Sequence, residues 1–138
     1  MARRQEKYPD TEIFKYHNQN PHNRITGDCV VRAISFATGI PYNEVVMDQA
    51  KFQCKTGFEG TYEVAKFMTR AYGYEKCKQP RHEDGTKYTM KEFIREHPKG
   101  TYVILLPNHC TVVKNGINYD IWDCTQYDKK VGNYFRIK

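Results

Sequence analysis

The apolar run Tyr102-Val103-Ile104-Leu105-Leu106 has the length of a strand and offers no polar residue to either face. Such a run is typical of a central strand that is covered on both sides. Further on, Asn115-Gly116 separates the runs 109–113 and 117–122, and this dipeptide is a strong signal for a tight hairpin. The C-terminal half therefore predicts a small antiparallel sheet, with a last strand at Tyr134, Phe135 and Ile137.

The N-terminal half has helical patterning instead. Val30, Ala33, Ile34 and Ala37 recur at helical spacing after Cys29, and Gly39 and Pro41 end the run. Three more helices are predicted: one with Asn43 as N-cap that ends near Gly57, one over 61–72, and one that opens with a capping box at 89–92.

Helices that precede an antiparallel sheet define an α+β fold class. A chain of 138 residues is long enough for a single core, and 39% hydrophobic residues are typical of a packed domain despite a mean hydropathy of −0.81. We expect one domain over residues 13–138. Residues 1–12 are charged and lack periodicity, so they predict a mobile N-terminal arm.

Composition narrows the class of protein. No stretch approaches the about 20 apolar residues of a membrane span, and the N-terminus lacks an apolar signal core, so we expect a cytoplasmic protein without a membrane partner. Five cysteines without a Cys-x-x-Cys pair predict neither a disulfide framework nor a zinc site. No cofactor and no metal are expected, and oligomeric state is left open.

Cys29 lies where a turn-forming stretch, Thr26-Gly27-Asp28, meets an apolar helical pattern. The first turn of a helix has unpaired N–H groups and the positive end of the backbone dipole, and both favour thiolate over thiol. A lone cysteine on a helix is otherwise a small buried hydrophobe. Its place at the helix start makes Cys29 a candidate nucleophile.

A cysteine nucleophile needs a base, and the base needs a third group to orient it. His109 is the candidate base because it begins a strand after Pro107-Asn108. The Asn115-Gly116 turn returns the chain toward it and makes Asp123 the leading orienter. Asp120 competes, because a one-residue change in the loop reverses the face that each side chain occupies.

An acyl-transfer site also needs donors for the developing oxyanion. We expect the Cys29 N–H and a side-chain amide to supply them, with Asn23, six residues upstream, preferred over Gln19. Asp28 would raise the pKa of a neighbouring thiol, so we expect its carboxylate to turn away and cap the helix.

The papain-like cysteine peptidase superfamily has an oxyanion amide, then a Cys that opens the central helix, then a His and an Asn or Asp on successive strands. The candidates in this chain resemble that order: Asn23, Cys29, His109 and Asp123. Locally, Gly27-Asp28-Cys29 with Arg32-Ala33-Ile34 resembles the nucleophile motif of ovarian-tumour-type deubiquitinases, and Asn108-His109 resembles the Asn-His pair of that family.

A longer pattern, from about Phe14 onward, is similar to small papain-like proteins of bacteriophages and prophages. It comprises 18–21, 27–29, 100–103, His109 and 119–123. The resemblance implies a papain-like fold, with the nucleophile at the start of the central helix and the helices packed on the sheet. It implies a cysteine peptidase, isopeptidase or amidase that acts on a protein or peptide, in the host cytoplasm if phage-encoded.

Two other functions are compatible with the same residues. The net charge of +6 admits a non-catalytic phage-type protein that binds a host factor or nucleic acid, although only Arg3-Arg4 and Lys129-Lys130 are adjacent basic pairs. An acyl transferase would use the same Cys-His-Asp triad and pass the acyl group to an amine instead of water.

Overall fold

A computed structural model describes residues 4–57 and 64–138. Within these residues, most of the helices precede most of the strands. This order is consistent with the predicted α+β class. The helices are α1 (Arg4–Lys7), α2 (Cys29–Thr38), α3 (Tyr42–Thr56), α4 (Val64–Tyr72) and α5 (Met90–Glu96). The strands are β1 (Phe14–Tyr16), β2 (Lys76–Cys77), β3 (Thr101–Leu106), β4 (His109–Lys114), β5 (Ile117–Asp120) and β6 (Tyr134–Arg136).

The six strands form one sheet in the order β1-β5-β4-β3-β6-β2. The predicted all-antiparallel sheet is wrong in one respect, because β1 pairs with β5 in parallel and the sheet is mixed. β1 follows α1 directly and has no hairpin partner in sequence, so nothing in the local pattern specifies its direction. β3 is central, as predicted, between β4 and β6.

The sheet carries a hydrophobic cluster on each face. Val103 packs with Ile34 of α2, Val45 of α3 and Phe67 of α4 on one side. Ile104, the next residue of β3, packs with Phe93 of α5 on the other side. Because side chains alternate along a strand, this division explains why β3 is apolar throughout.

The β4–β5 hairpin fixes the geometry at the end of the sheet. Asn115 and Gly116 have φ of 49° and 76°, and Lys114 pairs with Ile117, so the loop has two residues. Two central residues with positive φ are what a type I′ turn requires, and Asn-Gly is its preferred sequence. This settles the register of β5 against β4.

α2 begins at Cys29 as predicted, and Gly39 ends it in the left-handed conformation with φ of 79°. Its buried face includes Val31, Ile34 and Ala37. Burial of a side chain such as Ile34 contributes about 2 kcal/mol or more. The helix is therefore held firmly on the sheet, and its N-terminus lies beside the first residues of β4.

The other helix boundaries agree in part with the sequence. The capping box of α5 is confirmed, with Thr89 and Glu92 bonded reciprocally. The predicted N-cap at Asn43 is wrong, because α3 begins at Tyr42 after Pro41, whose fixed φ suits the position before a helix. The predicted start of α4 near residue 61 lies outside the described residues.

From Arg4 on, the N-terminal segment contacts the domain. The Arg4 guanidinium donates to the Ile121 carbonyl at 2.6 Å, and Asp10 accepts from the Tyr16 N–H at 2.9 Å. The mobility expected of residues 1–12 stays a prediction. Among the residues that the structure describes, no helix combines the length and apolarity needed to cross a membrane.

Candidate active site

Cys29 is the first residue of α2 and is partly buried beside the N-terminal end of β4. Burial alone raises the pKa of its thiol. The hydrogen bond and charge of His109, together with the N–H of Cys110, outweigh this effect, and the pKa of Cys29 is lowered. The predicted nucleophile therefore lies in an environment that favours the thiolate.

His109 begins β4, directly after the two-residue turn Pro107-Asn108, in which Asn108 has a φ of 56°. Its Nε2 lies 2.7 Å from Oδ2 of Asp120, which leaves Nδ1 for Cys29. Burial lowers the pKa of His109, but the bonds to Asp120 and Cys29 prevail and raise it to about 9. The imidazole is therefore protonated at neutral pH.

Asp120, the competing candidate, is the carboxylate that bonds to His109, whereas the carboxylate of Asp123, the leading candidate, bonds elsewhere. The two-residue turn pairs Val112 with Tyr119, so the next step places Asp120 across from Thr111. Thr111 and His109 share a face because they are two residues apart. Asp123 lies three residues beyond the end of β5, and its carboxylate instead accepts from the Thr125 N–H at 2.9 Å.

The Asp120 carboxylate is 3% exposed and is surrounded by donors. Its Oδ2 accepts from Thr111 at 2.6 Å as well as from His109, and Cys124 Sγ lies 3.4 Å away. Its Oδ1 accepts from the Ile121 N–H at 2.7 Å. Burial raises the pKa of Asp120, but His109 and Arg32 together lower it, so the carboxylate is ionised.

Arg32 is a buried residue of the candidate site that was not predicted from the sequence. It is 5% exposed, its Nη1 donates to Oδ1 of Asp120 at 2.9 Å, and its Nε donates to Oδ1 of Asp28 at 2.8 Å. The sequence feature that could have indicated its role is its position inside the otherwise apolar run Val30 to Ile34. A charge inside the buried stripe of a helix needs a partner.

Asp28 occupies the N-cap position of α2, but its side chain makes no capping hydrogen bond, contrary to the prediction. Its carboxylate does turn away from the thiol, because it binds Arg32, the Tyr42 hydroxyl at 2.6 Å and the Asn20 amide at 3.0 Å. Burial raises the pKa of Asp28, but these donors outweigh it and lower the pKa. Helix α3, the loop before α2 and the sheet thus meet in one polar network.

The candidate oxyanion amides are placed differently from the prediction. Asn23 is exposed, has a φ of 54°, and accepts from Asn18 at 3.4 Å. Gln19 lines a small cavity with Cys29 and Arg32. Its Nε2 donates to Ser35 at 3.0 Å, which leaves a second amide N–H. Gln19, the alternative, is therefore the better placed donor.

Cys29 also lines a second, larger cleft, together with His109. We call it the Cys29 cleft. Its polar lining residues are Lys76, Asn108 and Asn133, and its apolar lining residues are Val30, Val64, Ala65, Leu105 and Leu106. Both candidate catalytic side chains belong to its lining, so a ligand in the cleft would contact them.

One set of described residues has the composition of a metal site. Ligand atoms of His109, Asp120 and Cys124 lie within 4.8 Å of one another. The same atoms already form the hydrogen bonds of the candidate triad, since His109 Nε2 binds Asp120 Oδ2 directly. A metal ion here would displace that bond, so the geometry fits the acid–base arrangement better.

Comparison with protein-family models, curated proteins and solved structures finds no significant match to this chain. The functional interpretation therefore depends on the sequence motifs and on the geometry of the site.

Proposed function

We propose that this protein is a papain-like cysteine hydrolase that cleaves an amide or peptide-type bond through Cys29, His109 and Asp120. The observation that carries the proposal is the continuous arrangement of a helix-terminal thiol, an imidazole and a buried carboxylate, with His109 Nε2 2.7 Å from Asp120. These are the groups and contacts that nucleophilic thiol catalysis needs.

In the proposed reaction the Cys29 thiolate attacks the carbonyl carbon, and the carbonyl electrons move to oxygen. The Cys29 N–H, unpaired in the first turn of α2, and the Gln19 amide stabilise that oxyanion. Protonated His109 then gives its proton to the leaving amine as the C–N bond breaks. Water attacks the thioester with neutral His109 as base, and the acid and the thiolate are released.

The Cys29 cleft indicates the class of substrate. Aliphatic side chains are the largest group in its lining, and Val30 among them directly follows the candidate nucleophile. An apolar side chain beside the scissile carbonyl would bury against Val30 and Leu105, and each buried methylene is worth about 0.8 kcal/mol. We therefore expect a peptide or protein with an apolar residue at the cleaved bond.

Covalent capture tests this proposal. A peptide vinyl sulfone with leucine next to the reactive group should form an adduct on Cys29, detected by peptide mass, and should react at least about tenfold faster than the aspartate analogue. Cys54, exposed on α3, is the internal control. His109→Ala should abolish the preference for Cys29. Equal labelling of Cys29 and Cys54 in the unchanged chain would contradict the proposal.

Turnover distinguishes hydrolysis from transfer. A leucine p-nitrophenyl ester should acylate Cys29 in a burst and then release leucine by hydrolysis. If the acyl group is released only when an amine is added, it passes to that amine. The protein is then an acyl transferase and not a hydrolase. A stable acyl-Cys29 under both conditions would count against catalysis.

A further inference from the structure

Arg32 is a buried cation that none of the chemical steps above uses. It lies three residues after Cys29 on α2, about one helical turn away. Its Nε binds the Asp28 carboxylate at 2.8 Å, and its Nη1 binds the Asp120 carboxylate at 2.9 Å. A guanidinium is a rigid planar fork, so the two acceptors are held at a fixed separation.

The two oxygens of Asp120 have separate partners. Oδ1 accepts from Arg32 and the Ile121 N–H, whereas Oδ2 accepts from His109 and Thr111. Rotation of the carboxylate would break bonds on both oxygens. The bond to Arg32 therefore keeps Oδ2 directed at His109.

The far end of the fork is anchored as well. Asp28 is held by Tyr42 of α3 and by Asn20 of the loop before α2. Asn20 also donates to the Tyr42 hydroxyl at 3.3 Å. Arg32 thus links the helix that carries Cys29 to the strand end that carries Asp120, and both ends of the link are fixed.

Charge adds a second effect. Arg32 faces two carboxylates close to the thiol, and no other described residue is bonded to both. Without its charge, the buried Asp120 anion and the partly buried Asp28 anion would lie near a thiol that must also become anionic. Nearby like charge disfavours ionisation, so the thiolate would form at higher pH.

We infer that Arg32 is a positioning residue for this thiol chemistry, which holds the Asp120 carboxylate against His109 and favours the thiolate–imidazolium pair at neutral pH. The inference rests on the proposed function. It concerns how the site is assembled and does not depend on the identity of the substrate.

The test compares the pH dependence of Cys29 alkylation by iodoacetamide in three proteins. The first is the unchanged chain. The second is the Arg32→Met/Asp28→Asn double variant, which removes the buried pair together and avoids an unpaired carboxylate at residue 28. The third is Arg32→Lys, which keeps the charge and loses the fork. Thermal unfolding checks that each variant is folded.

In the double variant one of the two anions, Asp120, stays charged without the Arg32 cation, so we expect the acid limb of the profile to move up by about 0.5–1 pH unit. In Arg32→Lys we expect the acid limb of the alkylation profile to stay within about 0.3 pH units of that of the unchanged chain, because the positive charge remains. The turnover of the leucine ester should nevertheless fall about tenfold, because Asp120 is held less firmly. If the double variant does not fold, the Arg32→Lys result alone decides.

Two results separate this inference from the proposed function. If Cys29 of the unchanged chain reacts no faster than Cys54, the proposed function fails and the inference fails with it. If Cys29 is fast but folded Arg32 variants reproduce its profile and ester turnover, the inference alone is overturned, and Arg32 is only a structural ion pair.

Discussion

At the scale of single residues, the hydrogen-bond network determines which of the polar side chains near Cys29 can act together. Cys29 and His109 were predictable from sequence, because a helix start and a strand start are both visible in local patterns. The choice between Asp120 and Asp123 was not predictable, because it depends on the length of the hairpin loop and on where β5 ends. Arg32 was missed because its partners are 4 and 88 residues away.

The assignment of Asp120 predicts the outcome of a matched pair of substitutions. Asp120→Asn removes the anion that supports protonated His109, so the pKa of His109 should fall from about 9 toward its ordinary value. The rate of Cys29 alkylation at pH 7 should drop at least about tenfold.

Asp123→Asn is the control, since Asp123 contacts Thr125 and has no bond to His109. We expect its alkylation profile to match that of the unchanged chain. If Asp123→Asn impairs alkylation more than Asp120→Asn, the assignment of the orienting carboxylate is wrong.

The placement of Gln19 predicts a second contrast. Gln19→Ala should slow acylation by the leucine p-nitrophenyl ester about a hundredfold, because an oxyanion donor is lost. Its iodoacetamide profile should change little, since alkylation forms no oxyanion. Asn23→Ala, an exposed loop change, should leave both rates intact. Burst kinetics measure acylation, and equal ester rates in the two variants would argue against a role for Gln19.

At the scale of elements, the β4–β5 hairpin positions the site. Asn-Gly predicted the hairpin, and the two-residue loop then decides that Asp120 shares a face with His109. The strands β1 and β2 were harder to predict, because they are three and two residues long and pair with distant segments. Short strands carry little periodicity of their own.

The packing of Gly132 against β3 gives a prediction about stability. A Cβ at this position would lie 2.8 Å from the Leu105 carbonyl oxygen, to which the Gly132 N–H also donates. Gly132→Ala should therefore lower the free energy of unfolding by about 1–3 kcal/mol. Gly27→Ala meets nothing within 4 Å and should change it by less than about 0.5 kcal/mol. Chemical denaturation of both variants measures the difference, and similar midpoints would contradict this account.

At the scale of the whole molecule, helices on one face of the sheet and α5 on the other hold the polar network at the end of β4 and β5. The α+β class followed from the sequence because helical and strand patterns occupy different halves of the chain. The mixed character of the sheet did not follow from the sequence, because the parallel pairing of β1 with β5 is a long-range contact. The papain-like assignment remains a proposal.

The polar network also predicts how stability depends on pH. The pKa values of Asp28 and Asp120 are lowered in the folded chain, so both carboxylates contribute stability above their unfolded pKa of about 3.9. That contribution is lost as pH falls through the folded values. The free energy of unfolding should decline by about 1 kcal/mol or more between pH 5 and pH 2.

Asp28→Asn should make this decline shallower, because one of the two carboxylates no longer binds a proton. Urea denaturation at a series of pH values provides the measurement. A decline as steep in the variant as in the unchanged chain would show that Asp28 does not contribute.

The central claim is that Cys29 is an activated nucleophile paired with His109. The most direct measurement is the rate of iodoacetamide alkylation of Cys29 and Cys54 in the same protein from pH 4 to pH 10. We predict that the first inflection for Cys29 lies below the ordinary thiol pKa of about 8.5, with a second inflection near pH 9 as His109 loses its proton. A single inflection near 8.5, shared with Cys54, would contradict the claim.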